Sequence, residues 1–370
     1  MTVAGETSQA SSAPAARRDT ARPSPPRRLI EVDVARALVV VGVVFNHAVD
    51  GLVTSGVVDP ASELASANAV LYMFRMPALA FLLGLFVPGG VDRYGTRTYL
   101  WQRLVAVGYL YLLWFYLQGL VEFFASGVKN HVFPSARFLS PWTSYGQLWF
   151  LPFLAVATVT LVAFRPWQSG RRTVVVLIAT GAVSLALWGW NMEVLGLHGL
   201  SLLVFAAAGA AIGLGRMTVL VEGRSCCWAL LGVGAVLGLL VLVNLGAAPA
   251  TSGSVATSLP AASVSFVAAV CGILLVIALS VLIVRMAPFS RRFFSAIGTN
   301  TLPIFLAHVA VVAGVRIAMG QIGVTPGWTV ALAVVCGVGG PVVASRFAIG
   351  RPTVQWLFVP PAQVRRWLAA

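Results

Sequence analysis

Ten apolar stretches, most of them near the ~20 residues that cross a bilayer, alternate along this chain with short polar links, and few folds tolerate that pattern. They cover residues 34–53, 66–87, 104–124, 146–164, 173–190, 195–215, 226–246, 262–284, 298–316 and 328–348. Hydrocarbon offers no partner to an unpaired backbone N–H or C=O, so segments of this kind close their hydrogen bonds internally, as helices. With 59% hydrophobic and only 10% charged residues, and a mean hydropathy of +0.90, the chain has more apolar surface than a soluble core can hide. The expected fold class is all-α: a polytopic membrane helical bundle of about ten transmembrane helices.

The links test that count independently. If the N terminus is cytosolic, 20 of the 25 basic residues fall on the inner side, in segments 17–28, 93–103, 165–172, 216–224, 285–292 and 346–366. Lys129 and Arg137 stay outside, Arg316 lies at the outer border, and Arg36 and Arg75 fall within spans. Ten spans with both termini cytosolic satisfy the positive-inside rule at every link. The net charge of +14 therefore reads as orientation in a lipid bilayer, and no nucleic-acid partner is expected. Cys226, Cys227, Cys271 and Cys336 show neither metal spacing nor a disulfide framework, so no metal is expected. Residues 1–29, rich in Ala, Ser, Thr, Pro and Arg, are expected to be a disordered basic cytosolic tail. Residues 30–350 form the membrane domain and 351–370 a short cytosolic tail. Of the outer links, 125–145, with Lys129, His131, Arg137 and Trp142, is expected to fold over the outer mouth. The uncharged link 247–261 reads as a plain linker.

The polar residues inside the spans carry the functional signal. Arg36 and His47 are eleven residues apart, which returns them to one helix face about 16 Å apart along the axis. An arginine at the centre of a membrane helix costs roughly 2.5–3.5 kcal/mol, so such residues mark cavities or sites. Asp33 neighbours Arg36 one turn earlier, while Asn46 and Asp50 surround His47, with Asp50 placed to orient the imidazole. Arg75 sits near the midplane beside Pro77. In the run 298–316, Asn300 or Thr301 is a natural N-cap and Pro303 fits the first turn. The free amides there, near Arg36 and Arg103, suit a phosphate, and His308 follows at mid-membrane depth. Plainer readings stand beside these: snorkelling for Arg36, packing histidines for His47 and His308, a structural cation for Arg75. The shared face of Arg36 and His47 favours function. Gln147-Leu148-Trp149-Phe150 reads as an outer aromatic belt, Gly209 with Gly213 as a helix-packing face, and His131 and His198 have no assigned partner.

These residues resemble a known family. Asp33-x-x-Arg36 with Arg36-x10-His47, Phe74-Arg75-Met76-Pro77 leading to Gly84, Leu148-Trp149-Phe150-Leu151, and Asn300-Thr301-Leu302-Pro303-Ile304 with His308 look like the acyltransferase 3 family of membrane O-acyltransferases, over residues ~30–350 by the span criterion. Two positions depart from its pattern: Leu83 stands where a serine usually precedes Gly84, and Gly108 where a proline often occurs. The resemblance implies an acyl-coenzyme A co-substrate from the cytosol, no permanently bound cofactor, and a hydroxylated glycan, glycolipid or secreted metabolite as acceptor. It implies that His47 is catalytic and that Arg36 acts through the donor.

On that basis His47 is expected to serve as general base and Arg75 to stabilise the oxyanion. Arg36, Arg103, Asn300 and Thr301 are expected to hold the coenzyme A phosphates, with Asp33, Asp50 and His308 in support. Transfer is expected to be direct, since no Ser or Cys accompanies His47 on its helix. The expected location is the plasma membrane, and the Arg-over-Lys and Ala/Val/Gly bias is consistent with a bacterium of high genomic GC. The competing class is a transporter or flippase for a glycolipid or small anion, which midplane arginine and histidines also suit.

Overall fold

The structure, a computed structural model, describes residues 29–125, 134–144, 146–192, 194–253, 256, 258–361 and 364. The expected N-terminal tail lies almost wholly outside them, as do Lys129 and His131. The helices are α1 (Ile30–Thr54), α2 (Glu63–Gly84), α3 (Val87–Tyr94), α4 (Thr96–Ala125), α5 (Phe150–Phe164), α6 (Gly170–Ala186), α7 (Leu203–Val221), α8 (Ser225–Asn244), α9 (Leu259–Met286), α10 (Arg291–Thr299), α11 (Thr301–Gln321), α12 (Pro326–Ala348) and α13 (Pro352–Gln355). Serine caps open three of them: Ser62, Ser169 and Ser258 each accept from a backbone N–H in the first turn of α2, α6 and α9, satisfying a donor that a helix start leaves free.

The chain is a polytopic helical membrane bundle. Among the described residues nine helical segments are long and apolar enough to cross a membrane. The tenth expected run, 173–190, forms α6, which closes after 17 residues at Ala186. Its last apolar residues are drawn out of the helix by packing: Trp188 is buried, and its indole donates to the Ala248 carbonyl at 2.8 Å.

The core is built around α1, which packs against α2, α9, α10, α11 and α12, while α2 also packs on α7 and α9. At the crossing of α2 and α7 the backbones touch: a Cβ on Gly84 would fall on the Ala206 carbonyl, and one on Gly209 on the Phe81 carbonyl. Only glycine permits this approach. The expected packing role of Gly209 is thus met against α2, whereas Gly213 takes φ 63° and bends α7. At the periphery α8 leaves Leu230, Val233, Leu237 and Val241 exposed along one stripe, the surface that lipid covers.

The links divide between two ends of the bundle. One end is rich in arginine. At the other, segment 134–144 folds inward, with Tyr111 donating to the Pro141 carbonyl at 2.7 Å and the Leu195 N–H to that of Trp142 at 2.8 Å. The link expected to be a plain linker is not one. Ala250 and Thr251 are buried, and the Ala250 carbonyl accepts from the Gly189 N–H at 3.0 Å and the Ser201 hydroxyl at 2.9 Å. Past α13 the chain turns back along α4, where Trp114 donates to the Leu357 carbonyl at 2.7 Å.

Candidate active site

At the end away from the arginine-rich links, a cavity of about 450 Å³ opens between α1, α2 and the loops. His47 and Asp50 of α1 face it, as do Tyr72 and Arg75 of α2. Arg75 is only 3% exposed, and buried cations need partners. Its Nη1 donates to Asn68 Oδ1 at 3.3 Å, and its guanidinium carbon lies 3.9 Å from the Tyr72 ring centroid. Asn68 Nδ2 in turn donates to Asn46 Oδ1 at 3.0 Å and Asp50 Oδ1 at 2.9 Å. Asn68 can do this because it precedes Arg75 by seven residues, two turns on one helix face. Asp50 therefore answers to Asn68, and no hydrogen bond joins it to His47 among the described residues. Replacing Asn68 by alanine is expected to unlink Arg75 from Asp50 and to cost about 1–3 kcal/mol, read as a lowered thermal midpoint together with reduced turnover.

The partner of the His47 ring is His308 of α11, with ring centroids 5.0 Å apart and planes inclined at 57°. His308 Nδ1 lies 2.9 Å from both the Ile304 and Phe305 carbonyl oxygens. Carbonyls only accept, so Nδ1 carries a proton and, in the neutral ring, Nε2 bears the lone pair. That Nε2 is buried without a hydrogen-bond partner. An unused acceptor beside the His47 imidazole is suited to fix which of its nitrogens holds the proton.

A second cavity, of about 260 Å³, opens at the arginine-rich end. Arg36, Arg103 and Thr301 line it, and its remaining wall is largely leucine, including Leu83. The Arg36 guanidinium carbon lies 4.1 Å from the Phe86 ring centroid, and Arg103 Nε is buried with no partner. Asp33 is buried one turn before Arg36 and accepts from the Ser295 hydroxyl at 3.4 Å. Asn300 departs from expectation. Its amide donates to the Ala296 carbonyl at 2.7 Å, and its Oδ1 accepts from the Ser345 hydroxyl at 2.7 Å. It is the single residue between α10 and α11, and α12 captures its side chain, so it does not line the cavity. It sits at the N-cap position without capping. Between the two cavities stands Phe305, which lines both, its ring centroid 5.5 Å from that of Phe150 and 6.2 Å from that of His308.

A family model described as an acyltransferase domain, that of acyltransferase 3, matches residues 29–346. The chain belongs to the acyltransferase 3 family. No curated protein and no solved structure matches it. As an acyltransferase 3 protein it is a multi-pass membrane acyltransferase, and the matched region runs from the start of α1 almost to the end of α12.

Several residues of this acyltransferase's cavities escape a reading of the sequence. Asn68 carried a usable signal, a lone amide two turns from an intramembrane arginine. Phe305 carried none, being one apolar residue among many. Gln147, His198 and Thr251 face the cavity on the His47 side but come from the 3-10 turn that opens α5 and from two links. His198 lies flat on the Trp149 indole, with centroids 4.1 Å apart and planes at 18°. Burial pulls its imidazole down to about 4, against an opposing contact with the Thr251 backbone.

Proposed function

We propose that this acyltransferase moves an acyl group, acetyl by default, from a cytosolic coenzyme A thioester to a hydroxyl of a sugar-containing acceptor on the far side of the plasma membrane of a bacterium. The acceptor is a surface polysaccharide, a glycolipid or a secreted metabolite. The arginine-rich end faces the cytosol in this reading, in accord with the positive-inside rule. Phosphates of the donor meet Arg36, Arg103 and the first turn of α11, and its thioester arm lies along the leucine wall. His47 removes the acceptor's proton as the hydroxyl oxygen bonds to the thioester carbonyl carbon. The negative charge that develops on the carbonyl oxygen faces Arg75. Collapse breaks the carbon–sulfur bond, and the proton on His47 passes to the departing thiolate.

The observation that carries this reading is Phe305. One ring walls a cationic cavity at one end and the histidine cavity at the other, so donor and acceptor can meet in a single step at its edge. Release of free coenzyme A from acetyl-coenzyme A by the purified chain in detergent, with and without methyl glycosides, tests it. Acceptor-dependent release is the expected result. Absence of both release and acyl-coenzyme A binding, across several chain lengths with folded protein, would overturn it in favour of a transporter.

Loss of the cationic pair has its own signature. Charge-assisted hydrogen bonds are each worth about 1.5–3 kcal/mol, so Arg36→Leu with Arg103→Leu is expected to raise the KM for acyl-coenzyme A at least tenfold. A much smaller change is expected in kcat, because ground-state and transition-state binding are lost together. Steady-state titration of the donor at saturating acceptor measures this.

A further inference from the structure

The polar chain through Asn68 and the histidine pair leave three side chains of the larger cavity unexplained. Gln147, His198 and Thr251 are 5%, 7% and 4% exposed, and all three line the cavity that His47 faces. Both amide atoms of Gln147, His198 Nε2 and Thr251 Oγ1 are buried without a hydrogen-bond partner. Folded chains keep few such groups, because each forfeits its hydration with nothing in return. Here they converge from three separate segments: the 3-10 turn that opens α5, the link between α6 and α7, and the link between α8 and α9. The Trp149 stack holds the His198 ring, and Gly199 makes room for it: φ is 89°, and a Cβ there would press on the indole.

Their chemistry describes what would complete them. The amide both donates and accepts, the hydroxyl does the same, and the imidazole presents one further nitrogen. The matching partner carries adjacent groups that also donate and accept, which is the property of vicinal hydroxyls. The charged groups of the cavity already have partners: Arg75 and Asp50 are tied through Asn68, and Arg137 is engaged within the protein. A cavity of about 450 Å³ lies within the roughly 300–1,000 Å³ of small-ligand sites.

We propose that Gln147, His198 and Thr251 form a hydroxyl-reading face that holds a hexose ring while a neighbouring hydroxyl is presented to His47. The role of that ring as acceptor rests on the function proposed above; its binding does not. The test uses the full chain in detergent, without any thioester, and follows binding of the methyl α-glycosides of glucose, galactose and mannose by saturation-transfer NMR. At least one is expected to bind. The double variant Gln147→Leu, Thr251→Val is expected to bind it at least tenfold more weakly, with a thermal midpoint unchanged or raised, since unpaired polar atoms have been removed. Binding of no glycoside, binding unaltered in the double variant, or a loss accompanied by a lower midpoint would each overturn the proposal. Glycoside binding that needs these residues, in a protein that transfers no acyl group, would support the site and sink the acyltransfer chemistry. Transfer to a simple alcohol with no glycoside binding would do the reverse.

Discussion

Alanine in place of His47 is expected to lower acceptor-dependent release of coenzyme A by roughly 10²–10⁴-fold, the contribution of a placed general base. Donor affinity should hold, because Arg36 and Arg103 line the other cavity, beyond Phe305. Two readouts are needed: initial rates of thiol release, and acyl-coenzyme A binding by calorimetry. A mutant rate within threefold of the wild type would remove His47 from the chemistry.

The second large effect concerns folding. Valine at Gly209 is expected to prevent recovery of folded protein, because the clash is with the Phe81 carbonyl and the Gly84 backbone, not with a side chain that can rotate away. Overpacking typically costs about 1–3 kcal/mol where neighbours can shift, and backbone against backbone shifts least. Gly215, on the same helix, has nothing within 4 Å of its would-be Cβ, so Gly215→Ala is expected to leave the midpoint unchanged or slightly raised. Size-exclusion profiles and thermal midpoints of the two variants make the comparison. Equal behaviour would mean that the α2–α7 crossing is looser than its geometry.

How much of this was open to a reader of the residues alone depends on where each group sits. Arg36, His47, Arg75 and His308 stand out because hydrocarbon makes every polar side chain an exception; the structure sets the first three on two cavities and His308 behind His47. The helices were visible for the same reason, through the length and apolarity of each run. Residues at the span ends and in the links carry less contrast: Gln147 opens the run 146–164 and reads as part of an aromatic belt, while Thr251 falls in a link, where polarity is unremarkable. Asn300 shows the opposite failure. The sequence offers Asn300 or Thr301 as the cap; Asn300 holds the position without capping, and the partner that claims its side chain is Ser345, forty-five residues on, which nothing local announces. Leu83 is informative as a departure: with leucine where the resemblance leads one to expect serine, the wall of the cavity that Arg36 and Arg103 line is apolar there.

The short α6 bears on how the cavity that His47 faces meets the lipid surface. Its 17 residues rise about 25 Å, against a hydrocarbon layer of about 30 Å. The mismatch falls on the flank whose outgoing loop carries His198 and Asn191 to the cavity. A bilayer meeting a short helix thins beside it. Where the bilayer thins beside α6, the headgroup plane comes nearer to the mouth of the cavity than a full-length helix would allow.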